Sequence, residues 1–212
     1  MKLFLASYRF GAHVDEFLAL TSGPGRVAVI ANAADAWPAS ARQSAVVSEL
    51  RSLSELGYVA EELDLRRFRT DRDALRRELD AVDTVWIRGG NTFVLQARLE
   101  MAGADGEIAS RVRDGSLVFA GYSAGACIAS PSLRGVESAD DPADVEAATG
   151  RAASWTGLGL TDHSFVPHFE SILDEEGAAQ AMVSRFEREN VPYLTLTDEQ
   201  VVVVDGDRFE RL

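Results

Sequence analysis

The sequence is poor in cysteine and contains no long hydrophobic run. Its single cysteine, Cys127, rules out an intrachain disulfide. No stretch approaches the ~20 apolar residues of a membrane span, and the apolar run at residues 3–6 is too short for the core of a secretion signal. We therefore expect a cytoplasmic protein that does not contact membranes.

Basic residues are also few. The chain has 21 Lys and Arg residues against 34 Asp and Glu residues, which gives a formal net charge of -13. These basic residues are scattered among acids and form no stripe that could follow a phosphate backbone, so we expect no nucleic-acid partner. The histidines His13, His163 and His168 lack the cysteine or paired-carboxylate spacing of a metal site. We expect neither a metal nor another cofactor.

Short apolar segments alternate with longer segments of helical periodicity. This pattern is typical of a mostly parallel sheet with helices on both faces, the doubly wound α/β class. The predicted strands are residues 2–7, 26–31, 58–63, 84–88, 116–121, 165–167, 193–196, 201–204 and 208–212. The predicted helices are residues 39–56, 72–79, 91–101, 107–113 and about 175–189. We expect residues 1–212 to form one domain, as a monomer or homodimer.

Two departures from regular periodicity mark loops. Residues 131–159 contain Pro, Gly, Ser and Asp without a clear period, which predicts a long excursion over the strand ends. Asp205-Gly206 predicts a hairpin turn between the last two strands. Loops of the first kind commonly close one side of a binding pocket, and we expect this one to do so.

Ser123 lies where a strand passes directly into a helix. It follows the apolar residues 117–120 and is flanked by Gly121 and Gly125, which permit the sharp turn of a nucleophile elbow. Such a turn lifts the serine hydroxyl clear of the sheet and directs a helix N-terminus at developing negative charge. The alternative is that Ser123 merely caps the helix. The strand and helix context favours a nucleophile.

A second glycine-rich turn, Gly89-Gly90, also connects a strand to a helix. Its N–H groups are expected at the same sheet edge as Ser123. The backbone N–H groups of Gly90 and Ala124 could then form an oxyanion hole, although a plain strand-to-helix turn capped by Asn91 would give the same pattern. Candidate substrate contacts flank the two turns: Asn91, Thr92 and Tyr122.

A serine nucleophile needs a general base. His163 and His168 flank the same predicted strand, and positions five apart on a strand face opposite sides. Pro167 and Phe169 would fix the backbone around His168 at the strand end, so we favour His168; His13 lies early in the chain and is expected at the surface.

The third catalytic group would be a carboxylate that orients the imidazole. Asp198 follows the strand at residues 193–196, and its neighbour Glu199 is the fallback. Other carboxylates remain open alternatives by sequence: Asp140, Asp141, Asp144 and Asp162.

Three segments, residues 89–93, 121–126 and 167–169, together resemble the peptidase E family of α-aspartyl dipeptidases, which is related to cyanophycinase. The resemblance implies a flavodoxin-like or class I glutamine amidotransferase-like fold with the order Ser, His, acid. It also implies that Ser123 is the nucleophile, His168 the base, and Gly90 and Ala124 the oxyanion donors.

The sequence departs from peptidase E in three places. Asp198 stands where that enzyme has a glutamate, and residues 174–180 lack the arginine expected to bind a substrate aspartate. The missing arginine leaves specificity for N-terminal aspartate undecided. Residues 140–142 also depart from the peptidase E loop, and they look more like an uncharacterised bacterial branch of the family.

Three other functions compete with a serine peptidase. An α/β-hydrolase esterase would pair His168 with Asp144 or Asp162. A glutamine amidotransferase would need a cysteine at the elbow, whereas Cys127 lies one helical turn later. A binding protein could retain the fold without turnover. The function we favour is hydrolysis of short peptides through an acyl-enzyme.

Overall fold

The computed structural model describes residues 1–174 and 177–212. It contains a seven-stranded sheet with strand order β3-β2-β4-β5-β1-β8-β9. The strands of this sheet are β1 (Lys2–Ala6), β2 (Arg26–Ile30), β3 (Val59–Glu62), β4 (Thr84–Ile87), β5 (Val118–Tyr122), β8 (Val201–Asp205) and β9 (Arg208–Arg211). Strands β1 to β5 pair in parallel, whereas β8 and β9 are antiparallel additions at one side. The mostly parallel α/β prediction is confirmed.

Helices cover both faces of this sheet. They are α1 (Val14–Leu20), α2 (Ala39–Glu55), α3 (Arg72–Asp80), α4 (Thr92–Ala102), α5 (Ala104–Asp114), α6 (Ala124–Cys127), α7 (Asp144–Thr149) and α8 (Ala178–Glu189). Side chains alternate along each strand, so Leu3 and Leu5 enter the larger core with α3 to α8, whereas Phe4 and Ala6 enter a smaller core with α1 and α2. Each face of the sheet is therefore buried, as parallel sheets require.

Several boundaries differ from the sequence-based predictions. Helix α5 begins at Ala104, earlier than the predicted residue 107, because Gly103 with φ 69° ends α4 and allows a new helix to start at once. The predicted start of the last helix, Glu175, lies outside the described residues, and α8 begins at Ala178. Helix α1 was not predicted, since seven residues give too little periodicity.

The long excursion at residues 131–159 is not wholly irregular, because it contains α7. Beyond it, β6 (Ser164–Val166) pairs in parallel with β7 (Tyr193–Thr195) in a separate two-stranded sheet. The predicted hairpin is present, and Gly206 has the positive φ of 61° that such a turn favours. Among the described residues, no helix combines the length and apolarity needed to cross a membrane.

Helix α6 packs unusually close to β4 because glycines occupy the two positions nearest the Ile87 carbonyl, Gly121 in β5 and Gly125 in α6. A Cβ on Gly125 would lie 2.2 Å from the carbonyl oxygen of Ile87, and one on Gly121 would lie 2.9 Å from the same atom. Only glycine leaves enough room for this approach. The short helix is thereby held at the carboxyl edge, by which we mean the edge of the sheet where the parallel strands end.

We predict that Gly125→Ala destabilises the fold. The added Cβ would overlap the Ile87 carbonyl oxygen, and such overpacking costs roughly 1–3 kcal/mol in the free energy of unfolding. Gly106→Ala in α5 is the matched control, because its Cβ would meet no atom within 4 Å. That control should stabilise the helix by about 0.5–1 kcal/mol. Urea unfolding measures both; equal stability of the two variants would contradict the close packing of α6.

Candidate active site

Ser123 occupies a strained turn between β5 and α6. Its backbone has φ 53° and ψ -115°, a conformation that non-glycine residues rarely adopt. The Ser123 N–H donates to the carbonyl of Ala6 in the neighbouring strand, with an N···O distance of 3.1 Å. The hydroxyl is therefore presented at the carboxyl edge, as the sequence predicts for a nucleophile.

His168 reaches Ser123 from the end of β6. Its Nε2 lies 3.1 Å from the Ser123 hydroxyl oxygen, which is hydrogen-bond distance. His163, at the start of the same strand, instead packs against Phe209 with ring centroids 5.6 Å apart. His13 precedes α1. Of the three histidines, the structure brings only His168 to the serine.

Asp198 holds the other side of the His168 ring. The Nδ1 atom of His168 lies 2.7 Å from Asp198 Oδ1. Two hydroxyls also donate to this carboxylate: Ser7 to Oδ1 at 3.0 Å, and Ser171 to Oδ2. Ser7 additionally accepts the backbone N–H of His168 at 2.7 Å, so one serine holds both His168 and Asp198. Neither serine was identified from the sequence, because no motif marks them.

These hydrogen bonds determine the charge state of Asp198. Burial acts to raise the pKa of its carboxyl group, but the hydrogen bonds from Ser171, His168 and Ser7 outweigh it and lower the pKa below the usual value. A lowered folded-state pKa stabilises the fold above the unfolded-state pKa, and this contribution is lost as pH falls through the folded-state value. Asp198 is therefore ionised at neutral pH and able to stabilise a charged imidazolium.

The competing carboxylates have other partners. The side chain of Glu199 is exposed. Its backbone carbonyl accepts the Ala12 N–H. Asp144 accepts from Asn91, Asp141 from the Ala143 N–H, and Asp140 from Thr92. Asp162 is exposed. Within the described chain, no hydrogen bond joins any of these carboxylates to the His168 ring.

The Gly89-Gly90 turn lies directly against the serine. A Cβ on Gly89 would be 2.9 Å from Ser123 Cβ and 3.3 Å from its hydroxyl oxygen. Gly90 has φ 145°, which favours glycine. Neither the Gly90 N–H nor the Ala124 N–H has a hydrogen-bond acceptor in the part of the chain that the structure describes. The oxyanion roles of Gly90 and Ala124 stay predictions, with which the close contact of Gly89 and the unused N–H groups are compatible.

A buried carboxylate, Glu49, connects the two turns. It is 1% exposed and accepts hydrogen bonds from the Tyr122 hydroxyl at 2.7 Å and from Trp86 Nε1 at 2.9 Å. Arg88 forms an ion pair with it at 3.4 Å and donates at 2.8 Å to the carbonyl of Gly89. Because the C=O and N–H of a trans peptide point in opposite directions, holding the Gly89 carbonyl also orients the Gly90 N–H.

The predicted substrate contacts are only partly supported. Tyr122 lies in the smaller core, on the opposite face of the sheet from α6, and its hydroxyl is bonded to Glu49. Asn91 is also buried, and its side chain caps α4 through the N–H groups of Phe93 and Val94 while donating to Asp144. We correct these two assignments, because burial and hydrogen bonding leave neither group available. Thr92 does line the cavity beside Ser123.

A cavity of about 370 Å³ opens beside Ser123. Its walls come from α6, α8, the end of β6 and the long excursion that contains α7. The lining residues are Thr92, Ser123, Ala124, Cys127, Val136, Ala139, Asp140, Pro167, His168, Leu173, Asp174, Ala178, Ala179 and Met182. Its volume falls in the range of small-ligand sites.

Cys127 lies at the inner wall of this cavity but does not replace the serine. Burial raises the pKa of its thiol, and Sγ is 3.6 Å from the carbonyl oxygen of Phe165. A protonated thiol is a poor nucleophile. Among the described residues, no group of three or more His, Cys, Asp or Glu side chains is arranged to hold a metal ion.

The family model of peptidase family S51 matches residues 10–212, nearly the whole chain. The chain belongs to peptidase family S51. It is 35% identical over 122 residues to an uncharacterised peptidase of Listeria innocua, covering 58% of this chain and 55% of that protein. It is 32% identical over 151 residues to peptidase E of Streptomyces coelicolor, covering 69% of this chain and 58% of that protein. The alignments thus span a little over half the length of these two relatives.

Solved structures agree with this S51 assignment. A Listeria monocytogenes protein named for peptidase E superposes with a TM-score of 0.81 and 25% identity, covering 100% of this chain and 97% of that one. A peptidase from an acI-B1 actinobacterium shares the fold, with a TM-score of 0.68 and 14% identity over 100% of this chain and 86% of that one. The resemblance to the peptidase E family is therefore confirmed.

We predict that Asp198→Asn slows the reaction of Ser123 with a fluorophosphonate by up to about 10⁴-fold, because the amide would stabilise the wrong histidine tautomer. Glu199→Gln is the matched control and should leave the rate unchanged, since that side chain is exposed. Stopped-time labelling followed by mass spectrometry gives both rates. A large loss in Glu199→Gln, with Asp198→Asn unaffected, would reverse the assignment of the acid.

We also predict that Arg88→Met lowers kcat by roughly tenfold or more with little change in KM. Loosening the Gly90 N–H would weaken binding of the oxyanion, whose donors are each worth about 10²–10³ in kcat. Arg113→Met is the control, because Arg113 likewise donates to two backbone carbonyls, those of Leu158 and Gly159, outside the site. Steady-state kinetics separates the two parameters; a rise in KM alone would refute the orienting role of Arg88.

Proposed function

We propose that this S51 family member is a serine peptidase that hydrolyses short peptides through an acyl-enzyme. The observation that carries the proposal is the hydrogen-bonded series Ser123–His168–Asp198 at a cavity of about 370 Å³. A serine hydroxyl, an imidazole and a carboxylate in this order form the arrangement that activates serine in many unrelated hydrolases. The proposal gives Ser123, His168 and Asp198 the roles predicted from the sequence: nucleophile, general base and orienting acid.

In the first half of the proposed reaction, the Ser123 oxygen attacks the carbonyl carbon of the scissile peptide while His168 Nε2 takes the hydroxyl proton. The carbonyl oxygen becomes an oxyanion and receives hydrogen bonds from the N–H groups of Gly90 and Ala124. His168 then gives its proton to the leaving amine as the C–N bond breaks. The acyl group remains esterified to Ser123.

In the second half, a water molecule attacks the ester carbonyl and His168 accepts a proton from it. Collapse of the second tetrahedral intermediate breaks the ester bond, and the proton on His168 returns to the Ser123 oxygen. The products are an amine and a carboxylate, and the enzyme is regenerated. The ionised Asp198 stabilises the imidazolium in both halves.

The esterase alternative has less support. It requires Asp144 or Asp162 to orient His168, but Asp144 bonds to Asn91 and Asp162 is exposed. A binding protein without turnover would have no need of a positive-φ serine with an aligned base, since such strain is retained chiefly at functional sites.

Narrow specificity for N-terminal aspartate is not part of the proposal. Among the cavity-lining residues that the structure describes, none is a lysine or an arginine that could bind a substrate carboxylate. The segment that would supply the arginine of peptidase E here contributes Asp174, Ala178 and Ala179 to the wall. Small neutral side chains and one carboxylate do not favour an acidic substrate.

We predict that the wild-type protein releases free amino acids from neutral dipeptides such as Leu-Leu, and that Ser123→Ala abolishes release without unfolding the domain. Mass spectrometry of the products and thermal unfolding measure these two effects. Asp-Leu should be cleaved with a kcat/KM no higher than that of Leu-Leu. Residual hydrolysis by Ser123→Ala would refute the nucleophile, whereas fluorophosphonate labelling of Ser123 without cleavage of any peptide would favour an esterase.

A further inference from the structure

The wall of the active-site cavity carries negative charge. It includes the carboxylates Asp140 and Asp174. The other titratable groups among the described lining residues are His168, which is bonded to Asp198, and the buried thiol of Cys127. No lysine or arginine is among the described lining residues. An acidic substrate group would meet repulsion here, whereas a cationic group would meet attraction.

Asp140 and Asp174 differ in how their oxygens are used. Both carboxylate oxygens of Asp174 lie 3.2 Å from the backbone nitrogen of Ala179, near the start of α8, and accept its hydrogen. Asp140 uses only Oδ2, which accepts the N–H of Thr92 at 2.9 Å and its hydroxyl at 2.6 Å. Within the described residues, no donor contacts Asp140 Oδ1. Asp140 is thus held rigidly against α4 and keeps one oxygen free.

Asp140 is partly buried, and burial disfavours its charged form. Burial acts to raise the pKa of the Asp140 carboxyl, and it outweighs the hydrogen bonds from Thr92 that act to lower it. A positively charged ligand group beside Oδ1 would favour the ionised form and offset the lost hydration. The site is therefore suited to a ligand that brings its own positive charge.

We infer that Asp140 binds an ammonium group of the substrate and makes the cavity selective for peptides that carry an ammonium group over peptides that carry none. The inference rests on the proposed function, because that proposal supplies peptides as the ligand. A peptide carries an ammonium group either at its α-amino terminus or on a lysine side chain. Both have the chemistry that a fixed carboxylate recognises, and the experiment below separates them.

The test uses binding to the Ser123→Ala protein, which cannot form an acyl-enzyme. Four peptides are titrated calorimetrically: Leu-Leu has only the α-ammonium, N-acetyl-Lys-Leu only the side-chain ammonium, N-acetyl-Leu-Leu neither, and N-acetyl-Asp-Leu an additional acid. At least one ammonium peptide should bind about tenfold or more tightly than N-acetyl-Leu-Leu, as expected for a charge-assisted hydrogen bond. N-acetyl-Asp-Leu should bind most weakly.

Asp140→Asn in the same background should reduce the affinity of the ammonium peptide to that of N-acetyl-Leu-Leu, which itself should not change. Asparagine keeps an acceptor oxygen for Thr92, so the fold is expected to survive. Asp141→Asn is the matched control, because Asp141 is the next residue in the chain, is exposed, accepts from the Ala143 N–H and does not line the cavity. It should preserve the preference.

Several results would overturn the inference. These are equal affinity for all four peptides, no binding of either ammonium peptide at millimolar concentration, and a parallel loss for all peptides in Asp140→Asn. Because binding is measured without turnover, the two proposals fail separately. If the Ser123→Ala protein binds ammonium peptides selectively but the wild-type protein cleaves no peptide, the peptidase proposal is refuted and the proposed role of Asp140 still stands.

Discussion

The close approach of α6 to β4 is the constraint on which the site depends. Gly121 and Gly125 allow the helix backbone to contact the Ile87 carbonyl, where any side chain would intrude. The chain must therefore turn within a single residue between β5 and α6, and Ser123 takes the positive φ that this turn requires. The strain of that conformation is offset by packing on the larger core, where Ala124 and Ala126 are buried.

The same geometry explains why three separate strand ends contribute to one site. Strand β5 lies between β1 and β4 in the sheet, so its carboxyl end has a neighbour on each side. From β4 comes the Gly89-Gly90 turn, and from β1 comes Ser7, which contacts both His168 and Asp198. Parallel strands end at a common edge, which is why open α/β sheets bind ligands there.

Sequence patterns predicted the fold class and most strands, because apolar segments and glycine turns are local signals. They also identified Ser123 and His168 as a pair, which the structure places at 3.1 Å. What they missed depends on distant partners. Tyr122 was predicted to contact substrate because it precedes the serine. Side-chain alternation on β5 instead directs it to the opposite face of the sheet, where its hydroxyl donates to Glu49. Glu49 lies in α2, and no sequence motif marks it. Asn91 was also assigned wrongly to substrate binding. The side-chain amide that could bind a substrate is used to cap α4, and the sequence does not distinguish these two uses.

The cavity walls and the groups around the Ser123 hydroxyl come from different parts of the chain. Ser123, Gly90 and Ser7 stand at the ends of sheet strands, whereas Val136, Ala139 and Asp140 come from the excursion at residues 131–159. Surface excursions tolerate insertion and deletion far better than strands do. A change in the length of this excursion would therefore reshape the cavity while leaving Ser123, Gly90 and Ser7 in place at the strand ends.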